Sequence, residues 1–176
     1  VLATQNPIEQ EGTFPLPEAQ IDRFMFKLVA DYPPRQDEAD IIDRMAVAAP
    51  PEMPEPVLRG EDIVAAEGLI DMVRIDPAIR DYILTLVRAT RETQVGGFEV
   101  GHLVDWGASP RAGIWLALGA RANALLEGRD YVVPDDVSLL VHDVLRHRII
   151  LGFEAEAEAL SADTIIDEIV RHVEVP

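Results

Sequence analysis

Cysteine is absent from the 176 residues, which excludes disulfides and thiolate metal sites and fits a reducing compartment. Lysine is almost absent too: Lys27 is the only one, in the setting Phe26-Lys27-Leu28-Val29. A P-loop needs a glycine-rich stretch ending in Lys-Ser/Thr, so that backbone amides and the ammonium cradle phosphate. Leu28 follows Lys27 here, so the chain supplies no such cradle. Cations of any kind are sparse, with 15 Lys+Arg against 32 Asp+Glu and a net charge of -17. That balance argues against a nucleic-acid partner or an anionic-membrane surface, since both need clustered cations. No apolar run approaches the ~20 residues of a membrane span, and no basic stretch followed by an apolar one marks a secretory signal. The expectation is a soluble, cytoplasmic chain without membrane insertion, in which any phosphate is met by a few well-placed arginines.

What is present is enough hydrophobic content, 48%, for one good-sized core or two small ones. The chain reads as two zones, 1–33 and 34–176. The first looks like strand, loop, short helix, strand. Val1-Leu2-Ala3 reads as a buried strand, and Phe24 to Val29 as a second one with a nearly continuous apolar run. Between them Glu18 lies near the start of a short helix that ends near Arg23. Asp31-Tyr32-Pro33-Pro34 then punctuates.

The second zone reads as helices. Arg35 to Ala48 carries Ala39, Ile42, Met45 and Ala46 at helical spacing, and Glu61 to Val73 carries Ile63, Ala66, Leu69, Ile70 and Val73. Pro50 to Pro56 is a loop. Pro77 opens a helix whose stripe is Ile79, Tyr82, Ile83, Leu86, Val87 and Thr90. Ser109 and Pro110 cap and start a helix to about Leu126 that is apolar nearly all round, and so central. Pro134 starts another, striped by Val137, Leu140, Val141, Val144 and Leu145, and Ser161 caps a last one with Ile165, Ile166, Ile169, Val170 and Val173 inward. Glu154 to Glu158 reads as a solvated acidic face.

Three residues bear on chemistry. Asn6 follows the first strand, and ligands of open α/β sheets bind at the carboxyl ends of strands; the alternative is a turn before Pro7. Arg23 sits in Asp22-Arg23-Phe24, where a surface ion pair with Asp22 is the plain alternative. Arg111 stands in the first turn of a helix, whose end is already positive, which suggests an anion partner; an ordinary surface arginine is the even alternative. His142 and His147 are five apart, about 140° around a helix, and so poorly placed to share a metal. No metal site is expected, and all four histidines read as structural.

The segments "ATQNP", "EGTFPLPEAQIDRF", "GASPRA", "GRDYVVPDDV" and "VLRHRIIL" occur in this order over nearly the whole chain. Together they resemble the C-terminal part of AAA+ ATPases of the MoxR type, with the Walker A and Walker B motifs missing. The resemblance implies a mostly α chain, the end of an α/β nucleotide-binding domain (1–33) followed by an all-α lid (34–176). It implies Asn6 as the sensor 1 residue that orients a water, Arg23 as the arginine finger toward the neighbouring subunit, and Arg111 as sensor 2 toward the γ-phosphate of its own subunit. ATP and Mg2+ would be the cofactors of the full-length protein, a homo-oligomeric ring and often a hexamer, that couples ATP hydrolysis to remodelling a partner such as a von Willebrand A-domain protein. The fragment alone is expected to be inactive. The competing class is a nucleotide-independent helical interaction module, and a Gly-x4-Gly-Lys-Ser/Thr about a hundred residues upstream would decide against it.

Overall fold

A computed structural model of the chain describes residues 1–5, 16–48 and 54–176. In chain order the elements are α1 (Glu18–Ile21), α2 (Arg35–Met45), α3 (Gly60–Ile70), α4 (Pro77–Ala89), β1 (Gln94–Val95), β2 (Phe98–Glu99) and β3 (Val104–Trp106). Then follow α5 (Pro110–Leu126), α6 (Pro134–Ser138), α7 (Val141–Leu145), β4 (Ile150–Leu151), α8 (Phe153–Ala157) and α9 (Ala162–His172). The helix starts obey side-chain chemistry. Asp76 accepts the Ala78 amide at 2.9 Å ahead of Pro77, and Ser161 accepts the Thr164 amide at 3.1 Å ahead of α9.

α5 is the central helix, packed by α3, α4, α6 and α7. Its buried face is mostly small (Ala112, Leu116, Gly119, Ala120, Ala124), so neighbouring backbones approach closely. At Gly119 an added Cβ would lie 2.7 Å from Leu140 Cδ1 and 3.3 Å from Met25 Cε. α4 buries Ile79, Tyr82, Ile83, Leu86 and Val87 against it, and α9 closes the core with Ile165, Ile166 and Ile169. The core runs from Val73 to Val173.

Several elements differ from their sequence expectation. Residues 1–5 and 24–29 form no strand. A strand needs a ladder, and the backbone of 24–27 spends its polar groups on side chains of the helical zone. The helical zone is not purely α, since β1 pairs with β2 and β3 with β4, both antiparallel. α2 buries none of its residues: Ile42 and Met45 of the expected inward face are 62% and 60% exposed. α3 stops at Ile70, and Val73 enters the core from the turn beyond it. The helix expected from Pro134 breaks into α6 and α7, because the Leu140 amide bonds Val137 O three residues back.

The β3–β4 ladder matters most for the site. It pairs Val104 with Leu151 and Trp106 with Ile150. Three residues after β3 comes Ser109, the cap of α5, and two residues before β4 stands Arg148. The turn into β3–α5 is tight: a Cβ at Gly107 would sit 2.1 Å from Thr90 O, while buried Thr90 Oγ1 accepts the Ala108 amide at 2.9 Å.

Candidate functional site

The site forms where the turn after α1 meets the N-terminus of α5. Asp22 and Phe24 amides bond Glu18 O and Ile21 O, and the Arg23 amide bonds Gln20 O, so one helical turn closes and leaves Asp22 and Arg23 side by side on it. The Asp22 carboxylate collects three donors. Ser109 Oγ donates to it at 3.1 Å, Arg111 Nη1 at 2.6 Å and Arg148 Nε at 2.9 Å. Ser109 Oγ also accepts the Arg111 amide at 3.3 Å, so one hydroxyl caps α5 and ties it to α1.

The two arginines on Asp22 are unequal. The Arg111 side chain is 43% exposed and the Arg148 side chain 1%. Arg148 also donates to the carbonyls of Asp22 (2.9 Å), Met25 (3.3 Å), Phe24 and Val144. All five N–H groups of its guanidinium are thereby used. Burial lowers the Arg148 pKa below its ordinary value, and the Asp22 charge works against that.

Its neighbours in Arg146-His147-Arg148 act on the same stretch of chain. Arg146 Nη1 donates to Lys27 O at 2.8 Å, and His147 Nε2 lies 3.1 Å from Phe24 O. The Lys27 amide returns a bond to Asp143 O at 2.8 Å. His147 is pushed down to about 4 from an ordinary 6.5, first by burial and next by the Arg148 charge. The imidazole is therefore neutral at pH 7 and donates to Phe24 O through Nε2–H.

Of the three residues expected at the site, Arg111 and Arg23 are brought to one place. Arg111 bonds Asp22 directly, and Arg23 is the next residue, exposed. The alternative for Arg23, an ion pair with Asp22, does not form; Asp22 is taken by Arg111 and Arg148, and no side-chain hydrogen bond or ion pair of Arg23 occurs among the described residues. Asn6 lies outside the described residues. Two open clefts, one along Phe98, His102 and Glu168 and one along Arg91, Trp106 and Gly107, include neither Arg23 nor Arg111.

Sequence reasoning read His147 as structural and gave Arg146 and Arg148, quoted only within "VLRHRIIL", no role. Their signal was a run of three basic side chains in an acidic chain. The "GRDYVVPDDV" segment is architectural: Arg129 grips Asp136 through two bonds of 2.6 and 2.8 Å, and Asn123 and the Val133 amide complete that buried carboxylate. His142 bonds Asp167 Oδ1 at 2.9 Å, apart from His147.

Known proteins agree with this architecture. Residues 100–169 match the AAA lid domain, and residues 1–26 match the ATPase family associated with various cellular activities. The crystal structure of a candidate ATPase from Cytophaga hutchinsonii superposes with a TM-score of 0.91 at 40% identity, over 98% of this chain and 52% of that one. The chain is thus the end of an AAA+ α/β domain followed by its helical lid, and it belongs to the AAA+ ATPases. Among these it is of the MoxR type. It is 42% identical to the chaperone MoxR1 of Mycobacterium tuberculosis across 100% of its own length and 46% of the relative's. The protein MoxR of Paracoccus denitrificans is 32% identical over 56% of its length, and the uncharacterized protein YeaC of Bacillus subtilis 43% over 52%. The chain spans about half the length of the curated relatives it matches.

Proposed function

We propose that this chain is the nucleotide-responding part of a MoxR-type ATPase, which couples ATP hydrolysis in a ring to remodelling of a partner protein. The observation that carries the reading is the meeting of Arg111 and the Asp22–Arg23 turn at the N-terminus of α5. Arg111 is half-exposed and held by one carboxylate, so a phosphate group can take Asp22's place with the same charge-assisted bonds. Arg23 is exposed on the adjoining turn, open to a phosphate presented by a neighbouring subunit. A guanidinium suits both tasks because it stays charged and can bond two oxygens at once. Asn6 orients the attacking water in this reading, through a neutral amide that adds no charge repulsion.

ATP supplies the phosphoryl group and Mg2+ neutralises its charge when both are bound. The cradle for them belongs to segments beyond these 176 residues, since no P-loop lysine is present here. Residues 1–33 then belong to the α/β domain by chain and 34–176 to the lid. The fitting partner class is a von Willebrand A-domain protein, and the ring is a homo-oligomer such as a hexamer.

The test is Arg23→Ala and Arg111→Ala in the full-length protein. Arg23→Ala keeps ATP affinity and loses most turnover, by roughly 10³–10⁵ as for arginine fingers elsewhere. Arg111→Ala lowers turnover with the lid still folded, through loss of a charge-assisted bond of about 1.5–3 kcal/mol. Unchanged turnover in both folded variants would refute the reading.

A further inference from the structure

The geometry points to Arg148 as the positioning residue for Arg23: it fixes the Arg23-bearing turn to the lid, so that Arg23 moves as one body with α5 and Arg111. This rests on the reading of Arg23 given above, but the docking itself stands on bonds within the chain.

Four of the five acceptors on Arg148 come from residues 22–25: the Asp22 carboxylate and the carbonyls of Asp22, Phe24 and Met25. The fifth is Val144 O, in α7 just ahead of the turn that carries Arg148. A single carboxylate would balance the charge of a buried arginine but leave most of its five donors without acceptors. Here the guanidinium instead fills the place of a strand partner, capping the carbonyls of Asp22, Phe24 and Met25 that would otherwise be stranded. The planar five-donor fork is what permits this; a lysine offers three donors around one point. Arg146 on Lys27 O and His147 on Phe24 O extend the grip over 22–27. Met25 and Phe26 then lie over α5 at Gly119, where a Cβ would crowd Met25 and touch Phe26.

The inequality on Asp22 gives the arrangement its use. Arg111, 43% exposed, can leave Asp22 for phosphate, while Arg148, 1% exposed, stays. The turn therefore remains docked when Arg111 changes partner, and any lid displacement that follows carries Arg23 with it. A nucleotide sensed in one subunit is in this way converted into a changed position of the group offered to the next.

Two measurements test this. In the 176-residue chain, Arg148→Gln should raise the exchange rate of the Lys27 amide, which bonds Asp143 O, at least tenfold beyond any change in α4 and α9 amides. Leu86→Ala, a destabilising truncation in α4, an element that supplies none of Arg148's acceptors, serves as the control and should move core and Lys27 amides together. In the full-length ring, Arg148→Gln should keep ATP affinity and lower turnover toward that of Arg23→Ala. The double variant should be no slower than Arg23→Ala alone, because Arg148 acts through Arg23. Unchanged Lys27 protection would overturn the docking, and fully additive losses would overturn the action through Arg23. If instead Arg23→Ala itself leaves turnover intact, the arginine-finger reading fails, and the positioning role falls with it even where exchange confirms the docked turn.

Discussion

Replacing Asp22 by asparagine keeps the volume of the side chain and removes its charge, and the structure sets the cost. Arg148, with its side chain 1% exposed, loses its counter-ion but keeps four carbonyl acceptors. Breaking a buried pair from one side costs about 3–5 kcal/mol when nothing else compensates; the carbonyls bring this to roughly 2–3 kcal/mol. Arg111, 43% exposed, is screened and adds at most about 1 kcal/mol. The expected loss is therefore about 3 kcal/mol, or a fall in Tm of roughly 6–12 °C for a chain of this size. Circular dichroism at 222 nm, with heat and with urea, measures it. A second arm separates the two arginines: in an Arg148→Met background, Asp22→Asn should cost no more than about 1 kcal/mol. A Tm drop under about 2 °C, or the same cost in both backgrounds, would refute the view that Asp22 and Arg148 lock the turn.

Three further outcomes follow from the same geometry. His147 holds its proton less well folded (about 4) than unfolded (6.5), so stability is unaffected by it above pH 6.5, declines as pH falls from there to about 4, and levels off below. Urea midpoints of the chain and of His147→Gln should diverge between pH 7.5 and 4.5, and parallel midpoints would contradict this. Gly107→Ala should cost about 2–3 kcal/mol, because its Cβ would meet backbone, Thr90 O at 2.1 Å, that cannot swing away; an unchanged urea midpoint would show the turn to be slack. The 176-residue chain alone should neither hydrolyse Mg-ATP nor bind it tightly, and a calorimetric titration giving low-micromolar affinity at one site would sink that expectation.

The helices were legible because their signals are local. Asp76-Pro77, Ser109-Pro110 and Ser161 cap where side-chain chemistry says they should, and the stripes of α4 and α9 are the faces that pack. Periodicity gave α2 its helix but not its burial: Ile42 and Met45 have the spacing of a core face, and no described residue covers them. A pattern records what a face can do, whereas burial depends on a partner. The same limit explains residues 24–27. Their apolar run read as a strand, yet the acceptors and donors that claim their backbone lie at 143–148, over a hundred residues away. Arg111 was legible through its awkward place at a positive helix end, and Arg23 through the family resemblance. Arg148 was not, since its basic run marks a cluster of cations but not that the guanidinium would serve carbonyls over a hundred residues away. Nor could spacing reveal that Asp22 would choose Arg111 and Arg148 over its neighbour Arg23.

The central claim is that Arg23 acts on the nucleotide of the next subunit, and mixing two inactive full-length variants tests it most directly. One carries Arg23→Ala, and the other lacks its own Walker lysine. In a mixed ring some interfaces join an intact cradle on one subunit to an intact Arg23 on its neighbour. The account predicts ATPase activity above that of either variant alone, rising with the fraction of mixed interfaces. No recovery, in rings shown by mass spectrometry to contain both variants, would contradict it.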